Sequence, residues 1–273
     1  MNTIVIKNWK ELSEHIPVLE DLAESAAEPN VFYEHWMLIP AMKTLGQAAD
    51  LRIILIFGPD PVRKTAPPIL YGLIPLELTR DLYKVPIRNY STWKHKYCFL
   101  CTPLLRKNYE REVLSEFFTW LNNHEGRRAI MEFKHISGEG PVYQALVDVM
   151  NLTAQSSYVW ETFNRALFKP LDSSEKYLEA ALSGRRRKEL RRQQRLLSEK
   201  GAVTFSMTDS AEHLSKSLND FLNLEASGWK GRAQTAFAST ELDREFFEAF
   251  ASAAYSRDRL MMLTMKLDEK PLA

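Results

Sequence analysis

Apolar residues in this chain switch their spacing between two and roughly four in a fixed order, and that order leaves few architectures open. A strand is expected over residues 3–6, then a helix over 9–27 closed by Pro29. A second helix is expected over 32–45, stopped by Gly46 and kinked or shortened by Pro40. Strands follow over 51–57, 69–78 and 97–100, the first ended by Gly58 and Pro59. Val113, Phe117 and Leu121 share one stripe of a helix over 108–121, and a strand at 129–133 comes next. Pro141 suits the first turn of a helix carrying Val142, Leu146 and Val149, and residues 157–163 read as one more strand.

The opening order then recurs. Residues 202–207 read as a strand and 211–226 and 242–255 as helices, the latter opened by Thr240 and Asp243 as a capping pair. Residues 260–267 are apolar on both parities, as in a strand covered on both faces, and Asp268-Glu269-Lys270 turns into Pro271. The pattern predicts an α/β (α+β) protein with a mixed, mostly antiparallel sheet flanked by helices. It divides into a domain at 1–155 and an incomplete second copy at 156–273.

Lys and Arg total 36 against 35 Asp and Glu, so no global field draws the chain to nucleic acid or an acidic membrane. The charge is local: a helical segment at 173–200 contains, within 184–200, eight basic and two acidic residues. The longest unbroken apolar run, Ile53 to Phe57, is far short of the roughly 18 residues of a membrane span. With two cysteines the expected compartment is the reducing cytoplasm. Cys98 and Cys101, placed three apart on a strand, would point to opposite faces and could neither bridge nor clamp a metal. The histidines show no paired ligand spacing, so no metal is expected. GxGxxG, a Walker lysine and GxSxG are all missing.

Three features could carry chemistry. Arg187, Arg191 and Arg195 stack at four-residue spacing beside a stripe of Arg185, Lys188 and Arg192. Such a face is either a groove wall for an anionic partner or a solvated surface neutralised by the protein's own carboxylates. Leu214, Leu218 and Phe221 define a helix stripe, and Glu225 falls in the middle of it. Burial and the helix C-terminus both disfavour a charged carboxylate there, which suits a general base; the alternative is pairing with Lys230 or Arg232. Ser227 to Arg232 follow, where Gly228 can end the helix in a left-handed conformation and Gly231 permits close backbone approach. That displays Trp229 and Lys230 on a short loop.

The element order resembles the GNAT acyltransferase fold, and its duplication resembles the FemAB-type transferases. Arg185 to Leu196, together with Leu224-Glu225-Ala226-Ser227-Gly228-Trp229-Lys230-Gly231, looks like the CelD/BcsL-like acetyltransferases linked to bacterial cellulose and exopolysaccharide synthesis. The residue-level likeness covers about 160–273; the front half matches by architecture alone. The resemblance implies acyl transfer from acetyl-CoA or another acyl-CoA to an amine or hydroxyl of a small-molecule or saccharide acceptor. It places Glu225 as the base, with Trp229, Lys230, Arg232 and the arginines at 187, 191 and 195 around the acceptor. The family's pyrophosphate loop would fall at 102–108 in the front half, which has no glycine, so that copy is expected to be degenerate. The back-half equivalent would lie past Ala273, so this form is expected to bind coenzyme A poorly. The family's loop carries a glycine where this chain has Gln234. The rival reading is a noncatalytic module docking an anionic polymer or a partner's acidic surface through Arg185 to Arg195, and a third is aminoacyl transfer from charged tRNA.

Overall fold

The computed structural model of the chain describes residues 1–63, 65–79, 88–125, 130–208 and 210–273. They form two compact units, residues 1–157 with 242–253, and residues 158–241 with 254–273.

The first unit is built on a mixed sheet. Strands β1 (Asn2–Ile6), β2 (Leu51–Gly58), β3 (Ile69–Thr79), β4 (Asn89–Thr92) and β6 (Ile130–Glu132) lie in the order β1-β2-β3-β4-β6, and the short β5 (Leu104–Leu105) also pairs with β3. Only β4 and β6 run parallel. Ile53, Ile54, Leu55 and Ile56 are all fully buried, so β2 lies covered on both faces and reads as an unbroken apolar run. Helices α4 (Glu110–Glu125) and α5 (Pro141–Leu152) close the core with Val113, Leu114, Phe117, Val142 and Val149. Residue 129 of the strand expected at 129–133 lies outside the described residues.

Several expected elements are corrected. The helix over 9–27 is two, α1 (Trp9–Ser13) and α2 (Ile16–Glu24), because Pro17 cannot donate to a continuing helix but is tolerated in the first turn of a new one. The helix over 32–45 is a 3-10 turn at Val31–Tyr33 followed by α3 (His35–Thr44), with Pro40 inside it. Residues 157–163 form no strand; Tyr158 and Trp160 stand exposed, and no described strand pairs with them.

The strand expected at 97–100 is a loop. Along β3, Leu76 faces Thr92 and Leu73 faces Leu104, so β4 and β5 are two pieces of one course from which residues 93–103 bulge out. The loop buries Trp93, His95, Cys98 and Cys101 while Phe99 stands exposed, and side chains stand in for a ladder. Tyr33 Oη donates to Trp93 O at 2.9 Å, and Asn30 Nδ2 donates to Leu100 O at 3.2 Å and Thr102 O at 2.8 Å. A turn closes where Cys98 N–H donates to His95 O at 2.9 Å. Cys98 and Cys101 consequently lie with their sulfurs 3.8 Å apart, not on opposite faces.

In the second unit β7 (Val203–Met207), β8 (Leu263–Leu267) and β9 (Lys270–Pro271) form an antiparallel sheet. Its strands pair with none of the first sheet among the described residues; along the chain helices stand between β7 and β8, but residues 242–253 of the last of them belong to the first unit. The turn into β9 is as expected: Asp268 and Glu269 have φ of 48° and 67°, the left-handed pair of a two-residue hairpin. The expectation that this strand is covered on both faces fails. It begins at Leu263, and no residue of it is buried, because the buried apolar side chains of this unit come from helices and loops. The helical segment at 173–200 divides into α6 (Ser174–Ala181) and α7 (Gly184–Ser198), the latter capped by Ser183 accepting from Arg186 N–H.

Helix α10 (Glu241–Tyr255) contributes residues 242–253 to the first unit. Asp243 is buried, and its Oδ2 accepts from Lys96 Nζ at 2.5 Å. Phe246 of α10 meets the His95 ring edge-on at 5.4 Å and stacks on Tyr97 at 5.8 Å.

Candidate functional site

Helix α8 (Ala211–Ser227) starts at Ser210, whose hydroxyl accepts from His213 N–H. Leu214, Leu218 and Leu222 bury one face, and Glu225 continues it with a side chain only 7% exposed. Both carboxylate oxygens are engaged. Oε1 accepts from Lys230 Nζ at 2.6 Å and Oε2 from Phe237 N–H at 2.7 Å. One buried carboxylate thus ties the helix to a loop that leaves it and returns twelve residues on.

Glycine at 228 does not end α8 in the left-handed conformation expected; its φ of −88° and ψ of −160° are extended, and α9 (Trp229–Arg232) starts at once. The close approach expected at Gly231 is present, since a Cβ there would lie 1.7 Å from Ala226 O. Gly231→Ala must therefore displace main chain. It is expected to cost the second unit about 1–3 kcal/mol, read as a lowered urea midpoint. Gln234 has a φ of 56°, the conformation glycine adopts most easily, and its N–H donates to Gly231 O at 3.1 Å.

These elements border a cavity of about 380 Å³, lined by Ser217, Phe221, Glu225, Trp229 and Lys230 on one side and by Met262, Leu263 and Thr264 on the other. Trp229 is 67% exposed and offers a ring face at the rim. Ser217 Oγ accepts from Thr208 Oγ1 at 2.7 Å. An engaged carboxylate, an ammonium, hydroxyls and an apolar wall can orient a small polar molecule against one flat face.

Of the residues expected to act together, Glu225, Trp229 and Lys230 converge here. Arg232 is exposed and does not line the cavity, nor do Arg187, Arg191 and Arg195. Arg187 donates to Glu179 O and Leu182 O, capping the end of α6. Arg195 lies 3.6 Å from Glu199, and Arg192 pairs with Glu189, whose carboxyl is held low, at about 2, chiefly by that hydrogen bond. Helix α7 buries no side chain. Sequence reasoning missed Met262 to Thr264, which reach the cavity from the start of β8, remote in the chain.

Among the described residues, no group of three or more His, Cys, Asp and Glu side chains could hold a metal ion, and no helix is long and apolar enough to cross a membrane. Residues 184–273 match the family model of the acetyltransferase (GNAT) domain, a stretch that includes every residue lining the cavity. No curated protein matches the chain.

Proposed function

We propose that the second unit transfers an acyl group from an acyl-CoA, acetyl-CoA in the first instance, to an amine or hydroxyl of a small acceptor seated beside Glu225. The observation that carries this reading is the coincidence of the cavity with the segment matching an acetyltransferase domain. The acceptor nitrogen or oxygen attacks the thioester carbonyl, its proton passes to Glu225, and the carbon–sulfur bond breaks to release coenzyme A. Lys230 orients the acceptor's polar groups and Trp229 its apolar face. A saccharide, with ring C–H groups on one side and hydroxyls around it, suits that pairing and is the acceptor that the resemblance of residues 224–231 to the CelD/BcsL-like enzymes would imply. Arg191, Arg195 and Arg232 would meet anionic groups from the solvent side, while Arg187 is committed to α6.

The donor is assigned to the second unit because the first fills its own helix terminus. Asn108 N–H donates to Glu110 Oε1 at 3.1 Å, and Glu110 and Glu112 occupy the first turn of α4, which repels a pyrophosphate. We therefore read two domains, a degenerate one up to about residue 155 and a transferase one after it, acting in the cytoplasm where acyl-CoA is found.

With the weak donor binding expected of this chain, incubation with a large excess of acetyl-CoA and a panel of amines and sugars is expected to release coenzyme A thiol slowly, and only when an acceptor is present. Absence of acceptor-dependent thiol release at saturating donor refutes the reading. The rival module has one observation in its favour: α7 is exposed along its length and carries the arginine stripe. Under that reading an anionic polymer binds with a steep salt dependence that Glu225→Gln leaves unchanged.

A further inference from the structure

The bulge at 93–103 brings together the chain's two cysteines, which the proposed reaction does not use. Their sulfurs lie 3.8 Å apart, and the turn that joins them has its tip at the surface, since Phe99 between them is 58% exposed. Cys98 and Cys101 themselves are buried, so only a small reagent reaches them.

We propose that Cys98 and Cys101 are an oxidisable dithiol, converted by a hydroperoxide into an intramolecular disulfide. The bonded sulfur separation is about 2.05 Å, so closure asks the two sulfurs to approach by about 1.8 Å. Residues 94–103 make no strand pairing among the described residues, but Asn30 holds Leu100 O and Thr102 O and the turn is closed by Cys98 N–H to His95 O. Closure therefore comes from rotation of the two side chains, with Cys98 Sγ giving up its 3.2 Å contact to Leu100 O. The two thiols are also unequal. The hydrogen bond between them, with burial second, pushes Cys98 up, and the same hydrogen bond holds Cys101 below its ordinary value against the opposing effect of burial, helped by the Tyr33 hydroxyl and then by Lys94 and Lys134. Cys101 is the nucleophile and Cys98 the resolving group.

In the first step Cys101 thiolate attacks a peroxide oxygen and the O–O bond breaks. Hydroxide, or an alkoxide from an organic peroxide, leaves and takes up a proton, and Cys101 becomes a sulfenic acid. In the second, Cys98 sulfur attacks that sulfenic sulfur, the S–O bond breaks, and the Cys98 proton leaves with the hydroxide as water. Two thiols lose two electrons and the peroxide gains them. The adjoining residues 95–97 hold α10 through Phe246 and Asp243, so the oxidation state is set beside that contact.

The test uses the reduced full chain treated with hydrogen peroxide, then denatured, alkylated and weighed intact. The expected result is a mass two hydrogens lower with alkylation reduced roughly tenfold, both restored by a thiol reductant. Cys98→Ser should instead accumulate a sulfenic acid at Cys101 that a dimedone probe traps, and more of it than Cys101→Ser accumulates at Cys98. Two alkylated cysteines after peroxide, a disulfide between two chains, or oxygen adducts without the two-hydrogen loss would each overturn the proposal.

Discussion

Glu225→Gln is expected to lower kcat for acyl transfer by about 10²–10⁴ while leaving the fold and the donor KM in place. Glutamine has the shape of glutamate, and its amide oxygen can still accept from Phe237 N–H, which the carboxylate does at 2.7 Å. What it cannot do is take a proton. The partner released is Lys230, whose side chain is 43% exposed and can turn to water, so the structural cost stays within about 0.5–1.5 kcal/mol.

A clamp would give a different pattern. Because Glu225 also ties Lys230 and Phe237 together, loss of rate could come from a loosened loop. Lys230→Met separates the two causes. It removes one arm of the clamp but keeps the proton acceptor, so it should raise the acceptor KM and spare kcat. Equal losses of kcat in the two variants would make Glu225 a positioning residue; full kcat in Glu225→Gln would remove it from the chemistry.

The parts of this molecule legible in its sequence are those whose pattern has one cause. β2 reads as buried because Ile53 to Ile56 are buried, and the hairpin at Asp268 and Glu269 reads as a turn because those residue types tolerate left-handed backbone. Gly231 was legible for a similar reason, since no other residue permits its approach to Ala226 O. Legibility ended where one pattern has two causes. Apolar residues at 97–100 look like a strand, yet the segment is a loop whose neighbouring carbonyls are held by Tyr33 and Asn30 from distant positions, with Cys98 buried and Phe99 turned out. The run Tyr158-Val159-Trp160 with Phe163 looks like a strand too, but strand character needs a neighbouring edge that no short window contains. The cavity was half legible: Glu225, Trp229 and Lys230 are neighbours in the chain, whereas Met262 to Thr264 join them only through tertiary pairing.

His95 should make the first unit lose stability in mild acid. Its ring is buried between Trp93, at 5.1 Å, and Phe246, at 5.4 Å, and Nδ1 accepts from Tyr97 N–H at 3.4 Å. Burial, with the Lys94 charge adding to it, lowers its pKa from 6.5 to about 4. The unfolded chain therefore binds a proton between these values that the folded chain refuses. Stability is full above about pH 6.5, falls as the pH drops toward 4, and the loss over the whole window is about 3 kcal/mol, of which about 2 kcal/mol is gone by pH 5. Urea unfolding at pH 7 and pH 5 should show that difference, and His95→Asn, which keeps an acceptor near Nδ1 without a titrating ring, should remove most of it. Carboxylates whose protonation weakens the fold act lower, below about pH 5, and so contribute little to the comparison. An imidazole NMR titration of wild-type protein with a midpoint near 6.5 would contradict the burial argument directly, because a ring free to charge at its ordinary pH gives the unfolded state no proton advantage.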